Sequence, residues 1–362
     1  MNVCLIGNGL TNLVLAQVLE SKNIRVTILF DSKKTNNFNS RSIAISNKNY
    51  DYLNNDVINI KKLSWPVNNI EIFKETSIAK KIFNFKNKQN NLFFTIKYNN
   101  FYNLIKNKIK KNKKIKFLKI NKILYKNLIN NNYDLIINSD SQSSISKDFF
   151  NKKIIKDYKS TAFTTLIKHQ ELKNNTATQI FTNYGPLAFL PISNNETSIV
   201  FSVLNNDNAF DEKKIKELIL KYNSKFKIKS FVNFEKFNLK YLILRKYFYN
   251  NILSFGDHLH KIHPLAGQGF NMTLRDIKIF SGLIQERLDL GLPLDSFILK
   301  QFEEKTKSKN YIFSTGIDFI YEFFKLENKY GNKYSNQILS AVGKNNTFSK
   351  YVSKIADNGL FF

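Results

Sequence analysis

The amino-acid sequence predicts an α/β fold in which a parallel sheet with its helices is interrupted by a second, strand-rich region and followed by a helical C-terminus. The chain has 362 residues, of which 43% are apolar, enough for a large core in about two domains. Residues 2–31 alternate strand, turn, helix and strand patterns. Residues 160–204 show several short strand patterns in succession, and long helical patterns follow residue 269.

The net charge of +28 comes from lysine, because only five of the 56 basic residues are arginines. Dedicated nucleic-acid binders rely on arginine for bidentate contacts. The lysines also accompany abundant Asn, Ile, Phe and Tyr, a mixture typical of AT-rich coding. No nucleic-acid partner is therefore expected, whereas a lysine-rich surface is compatible with anionic lipid.

The single cysteine, Cys4, excludes an internal disulfide and is expected to be a buried packing residue. The sequence shows no signal-peptide pattern and no apolar run near the ~18 residues that a membrane span requires. These observations predict a soluble protein of a reducing compartment.

A dinucleotide-binding unit is predicted at the N-terminus. Residues 2–6 read as a buried strand, a glycine turn and a helical pattern follow, and a second strand at 25–30 ends at Asp31. In such a unit the first glycine permits a tight turn, the second lets the main chain approach a pyrophosphate, and the acid accepts from a ribose hydroxyl. The predicted cofactor contacts here are Gly7, Gly9, Leu10, Thr11 and Asp31. Asn12 replaces the usual third glycine, so this motif alone also fits a tight turn in another α/β fold.

A second glycine-rich cluster lies in residues 253–276. Gly256-Asp257 ends a strand pattern, where a carboxylate reaches a sugar-alcohol chain, and a Pro-Leu-Ala-Gly-Gln-Gly turn begins at Pro264. This turn directs a helix N-terminus at whatever lies above it. If that group is a flavin ring, the helix stabilises negative charge on it by about 0.3–1 kcal/mol, or up to about 2 when partly buried. The predicted contacts are Gly256, Asp257, Ala266, Gly267, Gln268, Gly269 and Asn271.

This cluster resembles the second flavin-binding motif of the class A FAD-dependent aromatic hydroxylases, in their ubiquinone-biosynthesis branch. That family has Gly-Asp-Ala-Ala-His, a spacer, and then His-Pro-x-Ala-Gly-Gln-Gly-x-Asn. Residues 40–46 resemble the family's Arg-x-x-Ala-Leu-Ser segment, and residues 185–191, Gly-Pro-Leu-Ala-Phe-Leu-Pro, resemble the block typical of the quinone branch. Asp140 matches the acid of the family's Ala-Asp-Gly motif, with Ser141 in place of its glycine. The arginine that the family has near residues 98–100 is absent.

The resemblance implies a p-hydroxybenzoate hydroxylase-like fold, with a Rossmann-like FAD domain interrupted by a substrate-binding sheet. The implied limits are 1–70, 95–160 and 245–305 for the FAD domain, 70–95 and 160–245 for the sheet, and 306–362 for a C-terminal helical region. It also implies that Asp140 contacts the cofactor. Because arginine is scarce in this chain, Arg41 is expected to contact the cofactor rather than to be a surface charge.

The implied activity is that of a flavoprotein monooxygenase. NAD(P)H reduces the FAD, dioxygen adds to give a C4a-hydroperoxide, and one oxygen passes to the aromatic ring of a polyprenyl phenol intermediate of ubiquinone biosynthesis. Because that substrate resides in the bilayer, a cytoplasmic protein peripheral at the inner membrane, or bound to a quinone-biosynthesis complex, is expected. Two alternatives remain: a flavin reductase or oxidase of the same fold acting on a prenyl lipid, and a non-catalytic lipid-binding scaffold.

The histidines give weaker predictions. His263, before Pro264, is either a catalytic base or a residue that shapes the loop beside the flavin. His258 and His260 have no cysteine or carboxylate at ligand spacing, so no metal site is predicted. His169 is expected in a loop or at the surface. The neighbours Arg275 and Asp276 are expected to pair within the helix that faces the flavin.

Overall fold

The computed structural model describes residues 1–31, 39–75, 81–86, 91–120, 128, 132–205 and 210–330. The strands are β1 (Asn2–Ile6), β2 (Arg25–Phe30), β3 (Ser42–Ser46), β4 (Trp65–Val67), β5 (Asn69–Lys74), β6 (Phe83–Lys86), β7 (Phe93–Lys97), β8 (Ile115–Lys119), β9 (Leu135–Asn138), β10 (Lys153–His169), β11 (Thr176–Thr182), β12 (Gly185–Pro191), β13 (Glu196–Leu204), β14 (Ile228–Leu244), β15 (Phe248–Tyr249), β16 (Ile252–Ser254) and β17 (His260–Lys261). The helices are α1 (Leu10–Ser21), α2 (Asn47–Tyr52), α3 (Tyr98–Lys110), α4 (Ser144–Phe149), α5 (Glu212–Tyr222), α6 (Gln268–Asp289) and α7 (Ser296–Tyr330).

The first sheet has the strand order β15-β16-β9-β1-β2-β8 in the described chain. All of its pairings are parallel except the short β15–β16 hairpin. Residues 3–6 of β1 are fully buried, as expected for a central strand covered on both faces. Apolar side chains of α1, α3 and α6 pack with this sheet in one core cluster.

The second sheet has the order β17-β14-β10-β13-β12-β11-β5-β6 and is antiparallel except for the β5–β11 pair. Helix α5 covers part of it with Ile215, Leu218, Ile219 and Tyr222. Asp211 caps this helix by accepting from the Lys214 main-chain N–H at 2.7 Å.

A third, small sheet, β3-β7-β4, connects the two larger ones. Its strand β3 is tied to the second sheet by a 2.8 Å hydrogen bond from Ser42 Oγ to Ser198 Oγ. The strand thereby connects the Arg41 segment to the second sheet.

The predicted α/β fold with a parallel sheet and a helical C-terminus is confirmed. The helical spacing of Phe101, Leu104, Ile105 and Ile109 predicts an amphipathic helix in the lysine-rich stretch 79–133. In the described parts of that stretch, α3 confirms the helix, which is shorter than the stretch because β7 and β8 flank it. Among the described strands β8 pairs with β2 alone, so its lysines lie at an edge of the sheet, where charged side chains are tolerated.

The proposed domain limits stay a prediction. β10 begins at Lys153 and β17 lies at His260–Lys261, so the second sheet takes in short pieces of the segments 95–160 and 245–305. The part of 306–362 that the structure describes is helical to Tyr330. No helix in the described ranges combines the length and apolarity of a membrane span.

Candidate active site

Three loops leave the first sheet at the same edge. Strands β9 and β1 place Asn138 beside Ile6, and β16 places Ser254 beside Asn138. The ladder continues past the strand ends, since the Ser139 N–H donates to Ile6 O (3.1 Å) and the Phe255 N–H donates to Asn138 O (2.9 Å). Ligands of open α/β sheets bind at the carboxyl ends of parallel strands, so this edge is the candidate site.

The first loop holds the N-terminal glycine motif. Gly7 has φ +104°, and a Cβ there would lie 3.1 Å from Ser139 Oγ and 3.6 Å from Asp140 Cβ, both in the second loop. Gly9 precedes α1 without a side-chain cap, and a Cβ at this position would meet nothing within 4 Å. Open space therefore borders the N-terminus of α1, where main-chain N–H groups and the helix dipole favour an anion. Leu10 is buried and Thr11 is half-buried at this end.

Asn12 occupies the position of the third glycine of the motif, and its side chain forms hydrogen bonds with the preceding turn. Its side chain is fully buried. Its Nδ2 donates to Ile6 O at 2.9 Å and to Gly7 O at 2.8 Å. The amide thus ties the first turn of α1 to the end of β1, the two elements that the glycine usually allows to approach.

The predicted acids Asp31 and Asp140 lie at the same edge. Asp31 follows β2, the parallel neighbour of β1, and is half-buried. Asp140 is half-buried in the second loop, where its Oδ1 accepts from the Gln142 N–H at 2.9 Å. Its carbonyl oxygen accepts from Ser143 Oγ (2.9 Å) and Ser146 Oγ (2.6 Å), which holds the loop against α4.

The third loop packs directly on the first. Gly256 has φ +62°, and a Cβ there would lie 2.9 Å from Thr11 Cγ2 and 3.0 Å from Thr11 Oγ1. Only glycine fits this approach without displacing a branched side chain. The contact joins the two motifs predicted from distant parts of the sequence, and it leaves the Asp257 side chain exposed beside them.

Arg41 lies between these loops and the second sheet. Its guanidinium carbon is 4.3 Å from the ring centroid of Phe237, and its Nε is 3.7 Å from Glu235 Oε2. Burial lowers the pKa of Arg41, and the carboxylates of Glu235 and Asp257 oppose that effect. Glu235 also accepts from the Ser40 N–H at 3.1 Å. The contact of Arg41 with a cofactor stays a prediction. Its contacts with Phe237 and Glu235 of β14 were not predicted from the sequence.

Tyr98 lies in the stretch 98–100, near which the resemblance led us to expect an arginine, and it was not predicted to be part of the site. It is the first residue of α3, and burial raises its pKa to about 12, an effect reduced by a hydrogen bond with the Leu10 main chain. Asp257 and Arg41 also influence its titration. The sequence indicated only that Tyr98 follows the strand pattern of β7. Its proximity to α1 depends on the folded structure, which brings its hydroxyl to the Leu10 main chain.

The turn before α6 packs against β3. Gly267 has φ +63°, and a Cβ there would lie 2.8 Å from Ala44 Cβ, whereas a Cβ at Gly269 would meet nothing within 4 Å. Asn271 Oδ1 accepts from the Ser46 N–H (2.9 Å), and its Nδ2 donates to Ala44 O (2.9 Å) and Gly267 O (3.2 Å).

The side chain of Asn271 is therefore committed to protein groups. Its Oδ1 accepts a second hydrogen bond, from Asn49 Nδ2 at 2.9 Å, so both oxygen lone pairs are used. This indicates that Asn271 holds the turn in place. Gln268 is buried at the start of α6, and the side chain of Ala266 lies outside the described part of the structure.

His263 is buried beside this turn with 1% exposure. Its ring stacks on Tyr321 of α7 at 4.1 Å and meets the edge of Tyr158 at 5.2 Å. Among the described residues neither ring nitrogen has a hydrogen-bond partner, and burial lowers its pKa to about 3. The contacts favour the loop-shaping role, with the half-buried Pro264 next to it; a catalytic role for either residue stays a prediction.

The expected pair Arg275–Asp276 is not formed. Asp276 Oδ2 is 2.7 Å from His260 Nε2, and Asn310 Nδ2 donates to Asp276 Oδ1 at 3.1 Å. The Arg275 guanidinium lies 4.6 Å from the ring centroid of Phe313. Consecutive helix residues point in different directions, so these neighbours contact different elements.

The other histidines have local structural partners. His258 Nδ1 is 2.8 Å from Ser254 Oγ, and burial lowers its pKa to about 4. The expectation for His169 was wrong: it is 2% exposed in β10, with Nε2 3.0 Å from Thr197 Oγ1, because alternate residues of this long strand face the core. Within the described ranges, no three His, Cys, Asp or Glu side chains are grouped as metal ligands. Cys4 is buried, as expected.

Similar proteins were found by sequence. The 3-demethoxyubiquinol 3-hydroxylase of Escherichia coli is 29% identical over 154 residues, covering 40% of this chain and 39% of that protein. The ubiquinone biosynthesis monooxygenase COQ6 of Schizosaccharomyces pombe is 22% identical over 273 residues, covering 62% and 57%. The chain thus spans less than two thirds of the length of these curated relatives. No protein-family model matches it.

Solved structures share the fold over nearly the whole chain. The p-nitrophenol 4-monooxygenase of Pseudomonas putida superposes with a TM-score of 0.77 at 10% identity, covering 99% of this chain and 98% of that one. The HpxO protein of Klebsiella pneumoniae, in complex with FAD and uric acid, gives 0.76 at 11% identity, covering 99% and 96%. These comparisons confirm the predicted fold and the resemblance to ubiquinone-biosynthesis hydroxylases.

Proposed function

We propose that this protein is an FAD-dependent monooxygenase that hydroxylates the aromatic ring of a polyprenyl phenol in ubiquinone biosynthesis, with NAD(P)H as reductant. The observation that carries the proposal is the contact of Gly256 with Thr11. It joins the two predicted flavin motifs at the carboxyl edge of the parallel sheet. The similarity to the Escherichia coli and Schizosaccharomyces pombe proteins supports the substrate class.

The residues at this edge fit FAD. The positions of Gly9 and Gly269 border open space at the N-termini of α1 and α6, where a side chain would meet no protein atom within 4 Å. Main-chain N–H groups at the N-terminus of α1 other than that of Leu10, which bonds Tyr98, would hold the diphosphate. Asp31 would hold a ribose hydroxyl. Asp257 would hold the ribityl chain, and residues 267–269 the ring. Arg41 and Asp140 would complete the polar surroundings of the cofactor.

Bound FAD would supply both the acceptance of a hydride from NAD(P)H and the activation of dioxygen. The protein then has to position the ring, stabilise negative charge on it and exclude water. The α6 dipole supplies the stabilisation. Exclusion of water falls to the apolar cluster around Leu265, which includes Phe83, Phe181 and Phe324. The buried His263 packs against Tyr158 and Tyr321 beside this turn.

We further propose that the protein acts at a membrane surface or within a quinone-biosynthesis complex, because a polyprenyl phenol partitions into lipid. The lysine excess of the chain is compatible with anionic lipid. The expected location is the cytoplasmic side of the inner membrane.

The test begins with the visible absorption spectrum of the purified full chain and the identification of any released flavin. Stoichiometric FAD, NAD(P)H oxidation stimulated by a polyprenyl phenol, and a product heavier by one oxygen in mass spectrometry are expected. Turnover without an oxygenated product would favour a reductase or oxidase of the same fold. Protein that cannot be reconstituted with FAD would refute the enzyme proposal in favour of the scaffold.

A further inference from the structure

Helix α7 carries an exposed stripe without a charged side chain. Ile312, Phe319, Ile320 and Leu326, here called the α7 stripe, are 43%, 70%, 40% and 55% exposed. Their spacing of 7, 8 and 14 residues places them on one helix face, over about 21 Å at 1.5 Å per residue. Every exposed position in residues 311–326 is uncharged, in a chain of which 23% is charged.

The charges nearest the stripe are paired or positive. Asp318 and Glu322 both contact Lys156 of β10, at 3.0 Å and 2.9 Å, so a lysine of the sheet compensates these carboxylates. Lys305 and Lys309 are exposed and precede Ile312 by seven and three residues, which places them on the same face. Lys305 also lies 3.9 Å from Glu286, and the neighbouring exposed Glu304 lies 4.0 Å from Lys300, so Lys309 supplies the excess positive charge. The stripe is therefore apolar along its length and cationic at its N-terminal end.

The apolar surface continues into the interior toward the candidate flavin turn. Ile317 and Phe323 of α7 are partly buried and pack against the cluster that contains Leu265. Within that cluster Phe324 stacks on Phe181, with ring centroids 3.6 Å apart and planes within 9°. Leu265 lies two residues before Gly267, so side-chain contacts lead from the outer face of α7 to the turn.

We propose that the α7 stripe rests on an anionic lipid bilayer, with its apolar side chains at the acyl boundary and Lys305 and Lys309 at the headgroups. The inference rests on the proposed function in one respect: a lipid substrate would then enter beside α7. Lipid is favoured over a second copy of the chain, because two copies with a net charge of +28 repel each other and an anionic surface attracts both.

The test is flotation of the full-length protein with vesicles of phosphatidylcholine alone or mixed with phosphatidylglycerol. Phe319→Ser and the double variant Phe319→Ser/Ile320→Ser are compared with Leu220→Ser, which changes a 51% exposed leucine on α5. We expect wild-type binding only to the mixed vesicles. Each stripe substitution should weaken it roughly tenfold or more, while Leu220→Ser binds as wild type.

Equal binding of the stripe variants and the wild type, or an equal loss in Leu220→Ser, would overturn the proposal. So would a lipid-free dimer in sedimentation analysis that Phe319→Ser converts to monomer, because the stripe would then be a contact between copies. The flavin content of the same samples, measured from their absorption spectra, tests the proposed enzyme independently of the proposed lipid surface. Stripe-dependent vesicle binding by protein that cannot be reconstituted with FAD would support the lipid surface and refute the proposed enzyme.

Discussion

Substitution of Gly256 by alanine tests whether the contact between the two glycine motifs maintains the site. The change places an L side chain at φ +62°, which costs about 1–2 kcal/mol in the left-handed region. It also sets a Cβ 2.9 Å from Thr11 Cγ2. Because the Thr11 side chain is branched and stiff at χ1, the loop has to shift. We expect a further cost of about 1–3 kcal/mol, as for overpacking in a core.

Gly291→Ala is the matched control. Gly291 has nearly the same backbone conformation, φ +65°, but a Cβ there would meet nothing within 4 Å. In urea unfolding, both variants should lose the free energy that the strained backbone costs. Gly256→Ala should lose additional free energy, because only its Cβ meets the Thr11 side chain. Since 1.4 kcal/mol corresponds to tenfold in affinity, the dissociation constant for FAD should rise at least about tenfold in Gly256→Ala and stay unchanged in Gly291→Ala.

A second substitution makes the reasoning refutable. Thr11→Ala removes both atoms that lie within 3.0 Å of the added Cβ. The double variant Gly256→Ala/Thr11→Ala should therefore recover stability and flavin affinity relative to Gly256→Ala alone. Equal losses in Gly256→Ala and Gly291→Ala, or no recovery in the double variant, would show that contact with Thr11 does not constrain the site.

Three further predictions concern the buried polar groups. Asn12→Ala removes two buried hydrogen bonds, to Ile6 O and Gly7 O, and should lower the free energy of unfolding by about 1–3 kcal/mol. An effect no larger than that of Asn107→Ala, at an exposed position of α3, would contradict it. His260→Ala leaves the buried Asp276 carboxylate with Asn310 as its remaining side-chain partner among the described residues, and we expect a loss of about 3–5 kcal/mol in the free energy of unfolding, measured in urea. Asp276→Asn should be milder, and a reversed order would refute the charge argument. Burial lowers the pKa of His263 to about 3, so between pH 6.5 and 3 this histidine is protonated in the unfolded state but not in the folded state. The free energy of unfolding should therefore be unaffected by this group above about pH 6.5 and should fall as the pH drops from 6.5 to 3. His263→Leu should reduce this slope by about 1.4 kcal/mol per pH unit, and an unchanged slope would contradict the prediction.

The parts that the sequence predicted well are local. The β1 strand, its glycine turn and α1 follow one another without a gap, so short-range patterns define them. The strand β8 was missed because its two exposed lysines obscure the strand pattern, and only pairing with β2 stabilises it there. His169 was misplaced because its burial depends on β13, 28 residues away, whose Thr197 hydroxyl binds the ring.

The candidate site shows the same division. Both glycine motifs are visible because glycine is scarce in this chain, with 12 in 362 residues. Glu235 and Tyr98 were not identified, since they are ordinary residue types on β14 and α3 that the fold brings beside Arg41 and Leu10. Glu235 and Tyr98 contribute to the site through their positions in the folded structure. No local pattern in the sequence indicates those positions.

The choice between an enzyme and a decayed scaffold depends on how the two altered motif positions are read. From the sequence alone, Asn12 and Ser141 suggested erosion. In the structure, the Asn12 amide connects α1 to β1 through two hydrogen bonds, so the constraint that the glycine usually supplies is met by different chemistry. Next to Ser141, the Asp140 carbonyl accepts from Ser143 and Ser146, and its carboxylate accepts from the Gln142 N–H. These hydrogen bonds show how the fold accommodates Asn12 and the loop that contains Ser141, so neither substitution by itself indicates a decayed site.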